Sequence, residues 1–328
     1  MKTFASLVRR ALLAFAACAA AASVLAAEPG YPSKPIRLLV GYAPGGGGDS
    51  VARIVAEHMG RTLHQTIVIE NRPGAGTTLA PAAAAAAAPD GYTLALVSEA
   101  RFGADKLLWR PNVKYDEASF TPVARWATTF FVLAVNKDYG VKRVADLLAK
   151  AKQSNNEVFM AATQGIFTSL IINSFKTASG VTLSLVPYKG GAPAVQAVLA
   201  GEVPVTFAVP TSVLPLARDG KLVALAVTGD KRSALAPELP TLQEEGLAGF
   251  NVGYWFGIAG PAGMADDVVQ KLFDASNLAL ADPGVRSRLA LLGYEPAPAR
   301  SPAEFRGQAL QDGAALRKTV EALGLKGD

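Results

Sequence analysis

Short apolar and β-branched runs alternate with helical stretches along most of this chain. The runs predict strands at Ile36–Val40, Ile67–Ile69, Thr93–Val97, Phe131–Val135, Val158–Ala161, Ser184–Val186, Val205–Val209, Leu222–Thr228 and Tyr254–Ile258. The segments between them predict helices at Ser50–Thr62, Thr78–Ala88, Val144–Gln153, Ser169–Thr177, Ala192–Ala200 and Val213–Asp219. Such alternation predicts an α/β fold whose parallel sheets are connected by crossover helices.

The C-terminal part has a different pattern. After Tyr254–Ile258 it predicts three helices, at Asp266–Ala281, Gly284–Leu292 and Ala303–Leu323. A late strand followed by a helical tail predicts that the chain leaves a first domain and later returns to it. Domain 1 would then combine residues 28–128 and 251–328, and domain 2 would span 129–250, with hinges near 126–129 and 249–254. Two crossings of this kind favour a ligand cleft between the domains.

Four consecutive glycines, Gly45, Gly46, Gly47 and Gly48, follow the first predicted strand, and a helix follows them. Because glycine loses much conformational entropy on ordering, such a run favours a loop whose backbone approaches something closely. Asp49 is a good N-cap for the helix. Free amides and the helix dipole at this position predict a site for a small anion.

Glycine-containing turns also follow other predicted strands. They are Asn71–Thr77, Thr163–Gly165 and Tyr188–Gly191. Ligands of open α/β sheets bind at the carboxyl ends of strands, so these turns are predicted to share one cleft. Each of them alone is equally consistent with an ordinary tight turn.

The residues at the positions that nucleotide-binding motifs require exclude a nucleotide site. A G-x-G-x-x-G motif starting at Gly45 or Gly46 would need glycine where Ser50 or Val51 stands, and a phosphate loop starting at Gly41 would need lysine in place of Gly47. G-x-S-x-G and S-x-x-K motifs are absent as well. His58 and His64 lie six residues apart and cannot share a metal ion. We therefore expect a binding protein rather than an enzyme, with no catalytic residue, no metal and no cofactor.

The first 27 residues have the layout of a secretory signal peptide. Lys2, Arg9 and Arg10 precede an apolar run over residues 11–25, and small residues at 24–27 suit cleavage. The sequence thus predicts an exported protein. An alternative makes residues 15–18 a lipoprotein cleavage box with Cys18, the only cysteine, as the lipidated residue. The mass of the mature protein distinguishes the two.

Removal of this segment leaves 29 basic residues against 27 acidic ones, so the net charge falls from +5 to about +2. No cluster of Lys and Arg interleaved with aromatic residues appears. The sequence therefore predicts no nucleic-acid partner. No later apolar run reaches the ~20 residues that a membrane helix needs.

Several motifs resemble one family of binding proteins. They are residues 31–37 (Tyr-Pro-Ser-Lys-Pro-Ile-Arg), 43–49 (Ala-Pro-Gly-Gly-Gly-Gly-Asp), 70–76 (Glu-Asn-Arg-Pro-Gly-Ala-Gly), 88–93, 186–193, 220–228, 239–241, 255–257 and 281–285. In this order they are similar to the Bug-type (TctC-like) solute-binding proteins, the periplasmic receptors of tripartite tricarboxylate transporters. The resemblance covers essentially the whole chain after the signal peptide.

This resemblance implies a two-lobed periplasmic-binding-protein fold of type II, a Venus flytrap with a ligand cleft between its domains. It implies a monomer that grips a carboxylate with main chain, hydroxyls and ordered waters and delivers it to membrane subunits of a transporter. The predicted ligand-binding residues are Tyr42, Gly45, Gly46, Gly47, Gly48, Asp49, Ser98, Arg101, Thr163, Gln164, Gly165, Thr168, Ser169, Tyr188 and Ala208.

Three positions depart from the family pattern and predict specificity. Ala208 stands where relatives often carry an acid, which removes a partner for a ligand ammonium group. The guanidinium of Arg101 offers paired hydrogen-bond donors to a second carboxylate of the ligand, unless Arg101 pairs with Glu99 or solvent. Gln164 replaces a frequent asparagine. We expect the ligand to be an organic acid without an amino group. It carries one or two carboxylates, and aromatic acids are among the candidates.

Two other functions stay open at this point. One is a clamshell receptor that presents its ligand to a sensor. The other is an exported hydrolase or isomerase acting on organic acids, which the missing nucleophile motifs disfavour. Genes for transporter membrane subunits or for a sensor kinase beside this one would separate transport from signalling.

Overall fold

The computed structural model describes residues 30–108 and 113–324. The predicted signal peptide and Cys18 lie outside the described residues. Within the described ranges, no helix combines the length and the apolar character needed to cross a bilayer. The strands form two separate sheets, one of six strands and one of five.

The strands, in chain order, are β1 (Ile36–Val40), β2 (Ile67–Asn71), β3 (Thr93–Val97), β4 (Phe120–Phe130), β5 (Val132–Asn136), β6 (Glu157–Ala162), β7 (Thr182–Pro187), β8 (Val205–Ala208), β9 (Leu222–Val227), β10 (Gly253–Pro261) and β11 (Glu295–Pro296). The first sheet has the order β11-β4-β10-β3-β1-β2, and the second has the order β7-β6-β8-β5-β9. The α/β fold class predicted from the alternation is therefore confirmed.

The α-helices are α1 (Gly47–Leu63), α2 (Leu79–Ala85), α3 (Asp105–Leu108), α4 (Val144–Lys152), α5 (Ile166–Ser179), α6 (Gly191–Leu199), α7 (Pro210–Arg218), α8 (Asp266–Ala281), α9 (Pro283–Leu291) and α10 (Pro302–Leu323). Short 3₁₀ turns occupy Ala75–Thr77, Glu99–Phe102, Glu117–Ser119 and Lys137–Tyr139. Apart from short α3, each of these α-helices matches a predicted one, with ends that differ by a few residues.

The expectation of purely parallel sheets was wrong. β10 runs antiparallel to both β3 and β4, and β5 runs antiparallel to both β8 and β9. The reason is that β4 leads into β5 through the single residue Phe131, without a crossover helix between them. These direct connections make both sheets mixed.

β4 was absent from the prediction although it is an 11-residue strand. Pro122 breaks its pattern, and proline is ordinarily a signal against a strand interior. Here Pro122 pairs with Ala259 beside a register shift, where a missing N–H is tolerated. β4 then buries Trp126, whose Nε1 donates to Ser276 Oγ on α8 at 3.0 Å. The strand is thereby anchored to its covering helix.

Thr228, which is fully buried, joins the two places where the chain passes between the sheets. Its Oγ1 accepts a hydrogen bond from Phe131 N at 2.8 Å and donates to Val252 O at 2.5 Å. Backbone bonds join Thr228 N to Phe131 O and Val252 N to Thr228 O. The two crossings are therefore held together at one point.

α10 packs against both halves of the molecule. Phe305 near its start lies in the core of the first sheet, while Leu316 and Val320 near its end lie in the core that the second sheet forms. In between, Gly313 touches the chain at Phe102 and Gly103, so closely that a Cβ on Gly103 would overlap the backbone of Gly313 and a Cβ on Gly313 would overlap the backbone of Phe102. The helix position therefore depends on two glycines that face each other.

Candidate functional site

The glycine loop ends β1 and begins α1. The helix starts at Gly47 with Gly46 as N-cap, so the prediction that Asp49 is the N-cap was wrong. Gly45 has φ +79°, a conformation that side chains disfavour. The first helical bond runs from Ser50 N to Gly46 O at 2.9 Å. The amides of Gly47, Gly48 and Asp49 precede it and are left for another acceptor, as at any helix start.

Two of the glycines are required by aromatic rings of this chain. A Cβ on Gly47 would lie 2.5 Å from the Tyr294 hydroxyl oxygen, and a Cβ on Gly48 would overlap the ring of Tyr42. The close approach that the glycine run predicted is therefore, at these two positions, an approach to protein. Glycine keeps the loop amides within reach of the tyrosines.

Asp49 holds the loop in shape from beneath. It is 1 % exposed, and its carboxylate accepts bonds from Gly45 N at 2.9 Å, Arg53 Nε at 2.9 Å and Asn71 Nδ2 at 2.7 Å. Burial raises the pKa of Asp49, but these hydrogen bonds outweigh it and hold the pKa below its usual value. The Asp49 carboxylate therefore points toward the glycine loop and holds its conformation through these hydrogen bonds.

Asp49→Ala should lower the free energy of unfolding by about 2 kcal/mol at neutral pH, because hydrogen bonds to a charged group are lost. Since the folded pKa lies below the unfolded one, this contribution is present above about pH 4 and is lost as the pH falls through the folded pKa. Urea unfolding of both proteins at several pH values measures it.

The matched control is Asp219→Ala, whose side chain is 60 % exposed beside Lys221. It should change stability by less than about 0.5 kcal/mol. A gap between wild type and Asp49→Ala that stays constant down to about pH 2 would contradict the assigned role, since protonation then removes the bonds in wild type as well.

The second predicted loop ends β6 and begins α5. Gly165 is the N-cap of α5, and Ser169 N donates to Gly165 O at 3.0 Å as the first helical bond. Thr168 Oγ1 donates back to Thr163 O at 2.6 Å, which closes the loop. Thr163, Gln164 and Gly165 are exposed. This loop therefore offers a second accessible helix start, in the other sheet.

Three aromatic side chains connect the two helix starts. The Tyr294 hydroxyl lies at Gly47, and the Tyr254 and Tyr294 hydroxyl oxygens are 3.2 Å apart. The Tyr254 ring lies 5.0 Å from the ring of Phe167, in the first turn of α5. We call Tyr294, Tyr254 and Phe167 the aromatic bridge. It places the glycine loop and the Thr163–Gly165 loop on either side of a short chain of contacts.

Arg101 occupies a different place from the one that a ligand fork requires. Its side chain is 6 % exposed, its Nε lies 2.7 Å from Asp105 Oδ2, and a terminal nitrogen donates to Thr77 O at 3.0 Å. Asp105 also accepts from the Tyr115 hydroxyl at 2.5 Å. Asp105, rather than Glu99 or solvent, is therefore the ion-pair partner of Arg101, and the attraction between Arg101 and Glu99 is weaker. In this structure Arg101 braces the Glu99–Phe102 turn from inside.

The remaining predicted residues are spread around the two loops. Ser98 is half-buried at the N-cap of the Glu99–Phe102 turn. Ala208 ends β8, is nearly buried and pairs with Val132. Tyr188 follows β7, and its hydroxyl is 3.5 Å from a Glu202 carboxylate oxygen. Their roles in binding stay predictions.

A cavity of about 400 Å³ lies between the two sheets beside the aromatic bridge. Phe167 and Tyr254 line it together with Glu99, Trp255, Leu316 and residues of the two crossings. Burial raises the pKa of Glu99 to about 7, and burial likewise raises the pKa of Tyr42 to about 12. The phenols therefore stay protonated at neutral pH and offer neutral hydrogen-bond groups.

Sequence reasoning did not select the three residues of the aromatic bridge. The one available signal was the aromatic run Tyr254-Trp255-Phe256 in a predicted strand, where alternation places Tyr254 and Phe256 on one face. Tyr294 carried no signal because it follows a helix in a segment without periodicity.

Two mixed sheets joined by two crossings, with a cavity between them, form the two-lobed fold that periplasmic binding proteins have. The model of the tripartite tricarboxylate transporter family receptor matches residues 51–320. The chain belongs to this family, which confirms the resemblance found in its motifs.

Individual relatives are also similar to this chain over most of its length. The protein encoded in the gbd 5′ region of Cupriavidus necator is 33 % identical, covering 97 % of this chain and 98 % of that one. MatC from Rhodopseudomonas palustris, solved with bound malate, is 31 % identical with a TM-score of 0.67, covering 88 % and 100 %. A second R. palustris protein, solved with adipate, is 30 % identical with a TM-score of 0.70, covering 90 % and 99 %.

Proposed function

We propose that this chain is an exported periplasmic receptor that captures a small organic carboxylate between its lobes and delivers it to the membrane subunits of a tripartite tricarboxylate transporter. The family membership supports the receptor role, and the relatives solved with malate and adipate support a carboxylate as ligand. We infer no chemical step, because the loops offer amides and hydroxyls without an activated nucleophile.

The observation that carries this proposal is the pair of helix starts joined by the aromatic bridge. Each start presents main-chain amides that precede the first helical bond, and each lies on a different lobe. A carboxylate held by both would be stabilised without a formal countercharge. It would also tie the lobes together, so closure about the crossings near Phe131 and Val252 is the proposed motion.

Thermal unfolding with a panel of acids tests the proposal on protein first refolded free of ligand. A bound acid at 100 times its dissociation constant should add about 2.7 kcal/mol of stability. The panel contains malate, adipate and benzoate, each paired with its uncharged amide as a control. If no acid of any kind shifts the transition, the proposed function is wrong.

Thr168→Val should weaken carboxylate binding about tenfold, because the loss of one hydrogen bond loosens the Thr163–Gly165 loop. Thr177→Val, at an exposed position of the same helix, is the matched control and should bind as wild type does. Calorimetric titration measures both. Equal affinities for the two variants would contradict a role for this loop.

A further inference from the structure

Three rings meet between the lobes and none of them is fully buried. Phe131 is the residue that joins β4 to β5, Phe167 belongs to the first turn of α5, and Tyr254 belongs to β10. Their centroids are 5.9 Å apart for Phe131 and Phe167, 6.3 Å for Phe131 and Tyr254, and 5.0 Å for Phe167 and Tyr254. These separations suit tilted aromatic packing.

Two of these three rings, those of Phe167 and Tyr254, line a cavity. Phe167 and Tyr254 line the space of about 400 Å³ between the sheets, and Phe130, Leu170 and Leu316 add further apolar wall. Apolar surface left in water is unfavourable, and covering it with a ligand stabilises the complex. The volume is in the range of pockets that hold small organic ligands.

The charged groups of the cavity disfavour a second anionic group. Acids outnumber cations in its lining, which carries Glu99, Asp230, Glu295 and Asp312 beside Arg125 and Lys231. Two of the acids lie around Trp255, where Asp312 accepts from Nε1 at 2.8 Å and Glu99 accepts from the main-chain N at 3.3 Å. Burial raises the pKa of both of these acids, so the repulsion of a second carboxylate would come chiefly from Asp230 and Glu295.

The cations do not remove this bias. The lining holds two cations, Arg125 and Lys231, against four acids, and Arg125 Nε donates to Ala297 O at 2.9 Å. Arg101 lies outside this lining and is paired with Asp105. Glu295 is held by Ser233 Oγ at 2.8 Å and by Ala234 N at 2.6 Å. The cavity lining therefore combines apolar and aromatic groups with an excess of acids over cations.

We propose that the ligand is an aromatic monocarboxylate and that Phe167 and Tyr254 determine this specificity. Its carboxylate binds at the two helix starts, and its ring packs against Phe167 and Tyr254 in the cavity between the lobes. This inference rests on the proposed carboxylate-binding function and names the class of acid. It replaces the expectation of a dicarboxylate held by Arg101.

Calorimetric titration of the full mature chain with benzoate, cyclohexanecarboxylate, terephthalate and adipate tests the proposal. Benzoate should bind about tenfold more tightly than each of the other three, because only benzoate combines an aromatic ring with a single carboxylate. Cyclohexanecarboxylate isolates the contribution of the ring, and terephthalate isolates the cost of the second charge. Tighter binding of terephthalate than of benzoate would overturn the inference.

Two variants assign the specificity to residues. Phe167→Leu and Tyr254→Leu should each weaken benzoate binding about tenfold and adipate binding by much less, because only benzoate packs a ring against these side chains. Phe159→Leu, at a 54 % exposed phenylalanine of the same lobe, is the control and should behave as wild type. Circular dichroism confirms that each variant is folded.

The outcomes separate this inference from the function on which it rests. Adipate binding without benzoate binding overturns the inference and leaves the carboxylate receptor intact. An equal loss for benzoate and adipate in Phe167→Leu also overturns it, since Phe167 would then serve closure alone. Failure of every acid overturns both.

Discussion

Arg101→Ala should lower the free energy of unfolding by about 3–5 kcal/mol, because removal of one partner leaves the other as a buried, unpaired charge. The Arg101 side chain is 6 % exposed and that of Asp105 is 2 % exposed, so water cannot replace the lost guanidinium. The Tyr115 hydroxyl satisfies only part of the Asp105 carboxylate. Equilibrium unfolding in urea measures the loss.

Two further proteins complete this experiment. Arg300→Ala removes a guanidinium whose side chain is 90 % exposed beside Glu304 and should leave the free energy of unfolding unchanged, because solvent screens this pair. The double variant Arg101→Met, Asp105→Leu should regain most of the stability, because neither charge is then left buried. If Arg101→Ala keeps wild-type stability and instead abolishes ligand binding, Arg101 is the ligand fork that the sequence suggested.

Gly313→Ala should lower the free energy of unfolding by about 3 kcal/mol, the upper part of the range for overpacking. A Cβ at this position would overlap the Phe102 carbonyl, so α10 would have to move away from the Glu99–Phe102 turn. Main chain cannot rotate aside as a side chain can. Thermal and urea unfolding both report the change.

Gly307→Ala in the same helix is the matched opposite case. Nothing lies within 4 Å of a Cβ there, and the position is exposed. Because glycine is the poorer helix former, the variant should gain about 0.5–1 kcal/mol. Effects of the same sign at Gly307 and Gly313 would contradict the close approach as the cause.

Much of the fold was predictable because hydrophobic period and turn residues are local signals. β1, β3 and α8 have the bounds that the pattern predicted. β4 was missed because its proline is tolerated only through pairing at a register shift, which depends on a distant strand. The mixed strand directions likewise depend on a one-residue connection that no periodicity reveals.

The two loops of the candidate site could be predicted from the sequence, but the side chains that surround them could not. Glycines after a strand and before a helix are visible in sequence, so both helix starts were selected. The partner of a charged side chain is not visible, so the buried pair of Arg101 with Asp105 and the three hydrogen bonds to Asp49 were not expected. Tyr254 and Tyr294 meet only because β10 and the segment before β11 return to the first sheet.

The hydroxyl of Thr228 has a consequence for measuring motion. Because it binds main chain of both crossings, the two connecting segments cannot slide past each other without breaking these bonds, and the proposed closure of the lobes would then be a rotation about one pivot. One distance between two spectroscopic labels, one on each lobe, then suffices to describe the whole excursion. Since Cys18 is the only cysteine, a chain cleaved at the predicted site after residue 27 carries no native thiol, and engineered cysteines would then carry those labels without competing sites.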